Sequence, residues 1–328
     1  MKKKFLLLGG YKSNAGPHNV NRSYIENSDG SMSYIKTSGI RIINRLENLI
    51  KIIFYPTILF SGGVPNIEFK LCRILHKRTF YLMHGCTKFE NIVNQLNLPE
   101  SALKKEDFVL KNIHKIITVS SNFAEWVKKE YPEYADKITF CTNGIELSEP
   151  YEHITRTDKN RIIALTGGNR LIKRNYYICK AVENLNKKGW NIRVKAFGRN
   201  HSNGEPIYDF KFVDKMGQMG KNEYYKQLEE SDLLCVNSDL ESFGLVVCDA
   251  LNCGSSLLMS KNVGATCIFN DLQDDDLIKD NRNIIEIASK IENLLHKSNS
   301  KRLYYSIDQE KYSEKQSFLR LKQICLYE

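Results

Sequence analysis

Residues 231–253, SDLLCVNSDLESFGLVVCDALNC, decide the fold class of this chain. The apolar run 233–236 is predicted to be a buried strand, and a polar turn follows it. A helix is predicted over 243–251, opening at Ser242, Phe243 and Gly244. Glu241 precedes this opening and Asp249 lies within the helix, with seven residues between the two acids. Strands and helices alternate in this way along the whole chain, which predicts parallel α/β sheets.

The predicted helix start suits a particular kind of ligand. A helix start presents unpaired backbone N–H groups and the positive end of a dipole, so it attracts phosphate. Gly244 has no side chain to block the approach of a ligand to that backbone. About two helical turns would separate Ser242 from Asp249 and place them on nearly one face. The arrangement suits a ligand with an anionic centre and hydroxyl-rich ends, such as a nucleotide-sugar.

The segment resembles the E-x7-E signature of retaining glycosyltransferases with the GT-B fold, a family that includes many bacterial polysaccharide and glycolipid enzymes. Here the motif is E-SFGLVVC-D, so its second acid is Asp249 where the family usually has Glu. The flanking segments SDLLCVNS, DALNCG and SSLLMS follow the family's order of strand, acid, helix, turn and strand. An ordinary βαβ unit with two surface acids is the alternative.

The resemblance implies two Rossmann-like domains that face each other across a cleft. The acceptor-binding domain would be residues 1–150 and the nucleotide-sugar-binding domain residues 151–312, with a C-terminal helix, 313–328, packed back on the first domain. The boundary stretch 146–159 is polar and lacks periodicity. A helix that simply completes the second domain is the alternative for residues 313–328.

The resemblance also implies roles for individual residues. The catalytic candidates are Glu241, for the sugar hydroxyls, and His84, which ends the predicted strand YLMHG. The donor-binding candidates lie in three glycine-containing segments; they are Gly10, Gly16, Gly168, Arg170, Lys173, Arg174, Ser242, Phe243, Gly244, Leu245 and Asp249. Asp249 would contact the ribose, and Arg170 with either Lys173 or Arg174 would neutralise the diphosphate. The alternatives are solvated cations in the loop and a structural role for His84.

Composition narrows the remaining classes. The chain has 328 residues, a net charge of +10 and nine scattered cysteines without a C-x-x-C pair, which predicts reduced thiols and no zinc site. No apolar run approaches the roughly 20 residues of a membrane span. The short N-terminal run 5–8 lacks the length of a signal peptide, so a cytoplasmic location is expected. No nucleic-acid motif accompanies the basic charge, so nucleic acid is the least expected partner.

The basic excess lies in the first half, where residues 1–150 hold 21 Lys or Arg and 14 Asp or Glu. Residues 41–53, RIINRLENLIKII, have an apolar stripe at helical spacing (Ile42, Leu46, Leu49, Ile53). We expect this helix to cover its own sheet, with binding to an inner membrane surface as the alternative.

The sequence therefore predicts a retaining glycosyltransferase that uses a nucleotide-sugar, with UDP as the expected nucleotide, and a glycan or lipid-linked saccharide acceptor. No cofactor or metal is expected; the run Asp274–Asp276 is interpreted as a solvated loop. Two alternatives stay open. One is a catalytically silent GT-B-like partner of another glycosyltransferase, and the other is a sugar-nucleotide epimerase on the same fold.

Overall fold

The computed structural model describes residues 4–13, 15–35, 41–149 and 158–328, with only the backbone of Arg41. The chain divides into two compact units. The first comprises Met1–Lys88, Leu98–Ile145 and Glu310–Glu328, and the second comprises Phe89–Asn97 and Glu146–Gln309. No pattern in the sequence indicates that the short segment Phe89–Asn97 belongs with the second unit.

The described residues of the first unit form a six-stranded parallel sheet with the order β2-β1-β3-β4-β5-β6. Its strands are β1 (Phe5–Leu8), β2 (Met32–Tyr34), β3 (Thr57–Ser61), β4 (Arg78–Met83), β5 (Lys115–Thr118) and β6 (Ile138–Phe140). Every residue of β1 and β3 is buried, because helices cover both faces of the sheet.

The described residues of the second unit form another six-stranded parallel sheet, with the order β12-β11-β10-β7-β8-β9. Its strands are β7 (Asn160–Leu165), β8 (Asn191–Phe197), β9 (Val213–Gly217), β10 (Leu233–Val236), β11 (Ser256–Ser260) and β12 (Leu277–Ile278). Counted from β7, this is the 3-2-1-4-5-6 order of a Rossmann sheet. Two parallel Rossmann-like units are therefore present, as the sequence predicted.

The described helices alternate with these strands. They are α1 (Gly16–Glu26), α2 (Arg41–Phe54), α3 (Asn66–Ile74), α4 (Thr87–Val93), α5 (Glu100–Asn112), α6 (Ser121–Glu130), α7 (Asn175–Lys187), α8 (Lys221–Glu229), α9 (Val246–Asn252), α10 (Ile284–His296), α11 (Ser300–Ser306) and α12 (Glu314–Tyr327). No helix among the described residues is long and apolar enough to cross a membrane.

Helix α12 packs within the first unit. Ser317 donates a hydrogen bond to the carbonyl of Thr142 at 2.6 Å, and the hydroxyl of buried Tyr24 lies 3.3 Å from the Ser317 hydroxyl. A Cβ at Gly144 would lie 2.4 Å from the Cα of Glu314, so only glycine lets this helix start so close. Helix α12 is thus bonded to the segment that follows β6.

Phe210 and Phe212 lie just before β9 and pack beside Tyr176 of α7 and the core of the second unit.

Helix α2 contacts β1 of its own sheet, as predicted, but not through the predicted stripe. Ile42, Leu46 and Ile53 are exposed and Leu49 is half-buried, whereas Ile52 is fully buried. The stripe with helical spacing therefore points away from the sheet of the first unit.

Candidate nucleotide-sugar site

The strand order of the second unit brings two loops together. Strands β7 and β10 are neighbours, with Leu233 paired to Ile163 and Cys235 to Leu165. The chain leaves β7 towards β8 and leaves β10 towards β11, on opposite sides of this pair. A crevice opens at such a switch point, outside the carboxyl ends of the strands, and open α/β sheets bind ligands there. The basic loop 166–174 and the acidic turn 237–245 follow these two strands.

Lys173 and Glu241 form an ion pair at this switch point. Their side chains are only 14% and 19% exposed, so both charges are largely removed from water. Gly167 makes room for the lysine, because a Cβ there would lie 2.7 Å from Cε of Lys173. The pair therefore joins the two segments that the sequence singled out separately.

Arg174 is fixed in a different network. Its guanidinium bonds the Asp239 carboxylate at 2.5 and 2.7 Å, and the Asn281 amide donates to the same carboxylate at 2.8 Å. Arg174 itself has a positive φ of 51°, and its carbonyl accepts from the Asn237 amide at 3.0 Å. These bonds tie the basic loop to the turn after β10 and commit the arginine to a structural network.

Arg170 pairs with a residue from the first half of the chain. Glu90 of α4 accepts its hydrogen bond at 2.9 Å, and each side chain is 35% exposed. Asn94, at the end of α4, accepts from the backbone N–H of Ile172 at 3.0 Å. The segment Phe89–Asn97 thus contacts the basic loop through an ion pair and a hydrogen bond. Arg170 remains the more accessible member of these cation–carboxylate pairs.

The predicted helix start at Ser242–Gly244 is wrong, because α9 begins at Val246. Residues 242–245 form a turn. The N–H of Gly264 stabilises this turn, because it donates a hydrogen bond of 2.8 Å to the carbonyl of Glu241. Gly244 has a φ of 95°, which any other residue would adopt only with strain. The backbone N–H groups of Phe243 and Leu245 have no acceptor among the described residues. Backbone donors are therefore present, but in a turn.

Asp249 lies one helical turn inside α9. The hydroxyl of Tyr225 in α8 donates to its Oδ1 at 2.6 Å, and burial raises the pKa of the carboxyl above its usual range. Its Oδ2 has no donor among the described residues. The acid is thus oriented by Tyr225 and keeps one oxygen for another partner.

Gly168 belongs to the predicted site, but a close packing contact also requires glycine at this position. It has a φ of 59°, and a Cβ there would lie 2.1 Å from the carbonyl oxygen of Arg199. Its N–H donates to the carbonyl of Phe197 at 2.7 Å. The loops after β7 and β8 therefore cross in backbone contact, and Arg199 contributes its backbone to that crossing.

A buried carboxyl lies behind the basic loop. Glu205 accepts a hydrogen bond from the N–H of Tyr176, in the first turn of α7, at 2.8 Å. Burial raises the pKa of Glu205 to about 7, although the charge of Arg174 and the backbone hydrogen bonds oppose the shift. No motif in the sequence indicates a role for Glu205.

A second cluster lies at the switch point of the first unit, where β1 and β3 are neighbours. Ser61 ends β3 and donates to Oδ1 of Asn21 at 2.7 Å, and the Asn21 amide donates to the carbonyl of Gly10 at 2.8 Å. Nε2 of His84 lies 3.0 Å from the Ser61 hydroxyl. The structure thus brings Gly10 and His84 together. Gly16, the first residue of α1, has nothing within 4 Å of an added Cβ.

The cluster fixes the protonation of His84. Because the Ser61 proton goes to Asn21, Nε2 of His84 must carry a hydrogen and donate to Ser61. Burial lowers the pKa of His84 to about 4, so the ring is neutral near pH 7. Its Nδ1 is then a lone-pair acceptor, with no donor among the described residues.

In the acidic run Asp274–Asp276, Asp274 and Asp275 are exposed, as the sequence predicted, but Asp276 is not. Asp276 is completely buried and accepts two hydrogen bonds from Arg302, at 2.7 and 2.8 Å. Asp274 pairs with Lys279 and Lys290. Within the described ranges, no group of three or more His, Cys, Asp or Glu residues is placed to hold a metal ion.

Sequence reasoning missed several partners of the candidate residues. Asp239, in the quoted stretch SDLES, could have been found from its place two residues before Glu241. Glu90, Asn21 and Tyr225 carried no local signal, since each meets its partner only through the fold.

Comparison with known proteins agrees with this architecture. Residues 158–312 match the family model described as glycosyl transferases group 1. No curated protein matches the chain. Among solved structures, the apo form of the lipopolysaccharide outer core galactosyltransferase WaaB is 13% identical, with 98% of each chain covered and a TM-score of 0.68.

Two further solved structures are similar over nearly their whole length. HepE from Anabaena, solved with UDP and glucose, is 12% identical, covers 98% of this chain and 99% of its own, and has a TM-score of 0.67. Sucrose-phosphate synthase from Thermosynechococcus elongatus is 14% identical over 98% of each chain, with a TM-score of 0.66. Identities this low establish the shared fold, and the family match lies almost wholly within the second unit. This chain therefore has the GT-B fold of two Rossmann-like units, and residues 158–312, just under half of it, match the model for group 1 glycosyl transferases.

Proposed function

We propose that this chain transfers a sugar from a nucleotide-sugar, with UDP as the nucleotide, to a glycan or lipid-linked saccharide. The proposed reaction retains the anomeric configuration and serves cell-surface polysaccharide or glycoconjugate synthesis. The observation that carries the proposal is the Lys173–Glu241 pair beside the 242–245 turn, at the Rossmann switch point of a group 1 domain. HepE, a protein of the same fold, was solved with UDP and glucose.

Lys173 and Glu241 would bind different parts of the donor, namely the diphosphate and the sugar. Glu241 would accept hydrogen bonds from the sugar hydroxyls while it holds the ammonium group of Lys173. That group has three N–H donors, so one can stay on Glu241 while the others reach the diphosphate. The N–H groups of Phe243, Gly244 and Leu245, with the accessible cation Arg170, would add to the neutralisation. Lys173 is therefore the second diphosphate cation in this proposal, because Arg174 is committed to Asp239.

Asp249 would bind the ribose. Aspartate is one methylene shorter than the glutamate usual at this point of the motif. Tyr225 holds the Asp249 carboxylate by Oδ1, which leaves Oδ2 for a ribose hydroxyl. Gly168 would admit the donor only through its backbone, since its lack of a side chain already serves the contact with Arg199.

In the proposed reaction the acceptor hydroxyl attacks the anomeric carbon on the face that the diphosphate leaves. The new C–O bond forms as the bond to the phosphate oxygen breaks, and a phosphate oxygen takes the acceptor proton. The products are the glycoside and UDP. Neutral His84 would accept a hydrogen bond from a sugar hydroxyl through Nδ1. Gly10 and Gly16, at the two ends of the segment that joins β1 to α1, would contribute to donor binding. Positioning and electrostatics supply the catalysis, and protein cations take the part of a metal ion.

The silent-partner alternative has one observation in its favour. Each of the three loop cations already has a carboxylate partner: Glu90, Glu241 and Asp239. A site that is neutral before ligand binds would hold a diphosphate less strongly than a free cationic loop. Transfer assays with the pure chain separate the two functions, because a silent partner would bind donor without turnover.

The test is a thermal-shift screen of nucleotide-sugars, followed by transfer assays with and without chelator. A ligand at 100 times its Kd stabilises the folded state by about 2.7 kcal/mol, which is easily measured. We expect UDP-sugars to give the largest shift, UDP to compete with them, and chelator to leave turnover nearly unchanged. No shift with any nucleotide-sugar would refute the proposed function, whereas activity restored only by Mg²⁺ or Mn²⁺ would refute its metal-free form.

A further inference from the structure

Helix α2 exposes an apolar stripe to solvent, which we call the α2 stripe; it consists of Ile42, Ile43, Leu46, Ile50, Ile53 and Phe54. Ile42 is 72% exposed and Phe54 is 76% exposed. The residues repeat at spacings of three and four, so they share one side of the helix. Burial of large aliphatic and aromatic side chains stabilises by about 1.5–3 kcal/mol each, so an exposed row of six is unusual for a surface that stays in water.

A basic groove lies next to the end of this helix. It has a volume of about 740 Å³, and its basic and titratable lining residues are Lys70, Arg73, His76, Lys77, Lys111 and His114. Four of these described side chains are Lys or Arg, two are His, and none is a carboxylate. The groove therefore offers a concentration of positive charge to an anionic ligand.

The α2 stripe and the basic groove adjoin each other at the last turn of α2. The ammonium group of Lys77 donates to the carbonyl of Ile53 at 2.8 Å, which joins the groove to the last turn of α2. Ile74 lines the groove and is 72% exposed. The guanidinium of Arg73 lies 5.3 Å from the centroid of the Phe108 ring, which is itself partly exposed. Exposed apolar side chains thus lie beside the cations of the groove in this part of the first unit.

We propose that this surface binds an anionic phospholipid bilayer, with the α2 stripe inserted among the acyl chains and the basic groove on the phosphate headgroups. An amphipathic helix beside clustered Lys and Arg is the combination that interfacial binding requires. Residues 41–80 contain seven Lys or Arg and two Glu, so this part of the sequence carries a net positive charge. A second copy of the chain fits less well, because two such surfaces would bring like charges together without a carboxylate in the groove.

Vesicle flotation tests the proposal without donor or acceptor, so its outcome is independent of the glycosyltransferase activity. The probes are vesicles of phosphatidylcholine alone and of equimolar phosphatidylcholine and phosphatidylglycerol. We expect the full chain to float only with the anionic vesicles and to be released by high salt. Inorganic phosphate at matched ionic strength should not compete, since the bilayer supplies many headgroups and an apolar layer together.

Two variants and two controls locate the surface. Lys70→Gln/Arg73→Gln/Lys111→Gln should lower the partition coefficient about 100-fold, since each basic residue contributes roughly fivefold. Lys104→Gln/Lys128→Gln/Lys129→Gln removes the same charge from positions of the first unit that do not line the groove, and should change binding far less. Ile50→Gln/Phe54→Gln should also abolish flotation, whereas Ile285→Gln, at an exposed position of the second unit, should not.

Three results would overturn the proposal. Equal loss in both triple variants would mean that diffuse net charge, and not the groove, attracts vesicles. Equal binding to neutral vesicles would remove the role of the groove. A wild-type dimer in light scattering that becomes monomeric with Ile50→Gln/Phe54→Gln, without vesicle binding, would assign the α2 stripe to a second copy. Circular dichroism of each variant verifies that loss of flotation does not reflect loss of folding.

Discussion

The Lys173–Glu241 pair stabilises the free protein, but in the liganded protein Lys173 is needed by the diphosphate. The variant Glu241→Gln separates these two effects. In the free protein the substitution leaves the Lys173 ammonium without its carboxylate while that side chain is 14% exposed. Removal of one partner from a fully buried pair costs about 3–5 kcal/mol. Because both side chains of this pair retain some contact with water, we expect a loss of about 1–3 kcal/mol of folding stability.

The same substitution should have opposite effects on binding and on transfer. Lys173 is released from Glu241, so we expect UDP to bind Glu241→Gln as tightly as wild type or more tightly. Transfer should fall by about 10- to 150-fold, since a hydrogen bond from the sugar to a charged acceptor contributes roughly 1.5–3 kcal/mol. Lys173→Met should instead weaken UDP binding.

Isothermal calorimetry with UDP, a transfer assay and thermal unfolding measure the three quantities on the same samples. The double variant Lys173→Met/Glu241→Gln completes a cycle, for which we expect a coupling energy of about 1–3 kcal/mol. Glu223→Gln, an exposed acid of the same unit, is the control. Near-wild-type transfer by Glu241→Gln would remove Glu241 from the site. Weaker UDP binding by that variant would refute the competition between Glu241 and the diphosphate for Lys173.

Four further outcomes test other parts of the structure. Arg174→Gln should lower stability by about 2–4 kcal/mol, because it breaks a largely buried pair, yet leave the Kd for UDP unchanged; a large loss of UDP affinity in the folded variant would return the arginine to the diphosphate site. Glu205 has a folded pKa of about 7, above its unfolded value, so its ionisation should remove about 3 kcal/mol of stability as pH rises from about 4.5 to 7; Glu205→Gln should abolish that part of the pH dependence of unfolding, and an unchanged profile would contradict the buried assignment. Gly168→Ala should cost more than about 2 kcal/mol by thermal unfolding, whereas Gly217→Ala, also at positive φ but with open space around it, should cost only about 1 kcal/mol; equal costs would show that the crossing of the loops is not tight. His84→Asn, which keeps an acceptor near the Nδ1 position, should retain more transfer activity than His84→Gln, which keeps only the donor near Nε2, and the reverse order would exclude Nδ1 as the group that meets the sugar.

The charge distribution and the motifs at strand ends could be predicted from the sequence, because they depend on residues that are close together along the chain. Three features each mark the end of a strand: the apolar run 233–236, the glycines after residue 165 and the acid at 241. Parallel α/β topology then places such strand ends at one edge of a sheet. The two Rossmann-like sheets followed from the same pattern.

The exact start of α9 did not follow from that pattern. Hydrogen bonds from the segment after β11 hold residues 242–245 in a turn, and no local propensity encodes bonds to a strand that far along the chain. For the same reason the sequence left open whether Lys173 or Arg174 faces the diphosphate. Asp239 and Asn281 bind Arg174 only once both loops are folded beside each other.

The sequence by itself determined the fold class and the segments that carry charge, because strand and helix periodicity and the chemistry of each side chain are local properties. Only the tertiary structure decided which charges are paired, which face of α2 meets solvent, and which nitrogen of His84 carries the hydrogen. Each of these depends on contacts between residues that are distant in the chain. Their energies come from burial and from hydrogen-bond partners, and neither exists until the chain has folded.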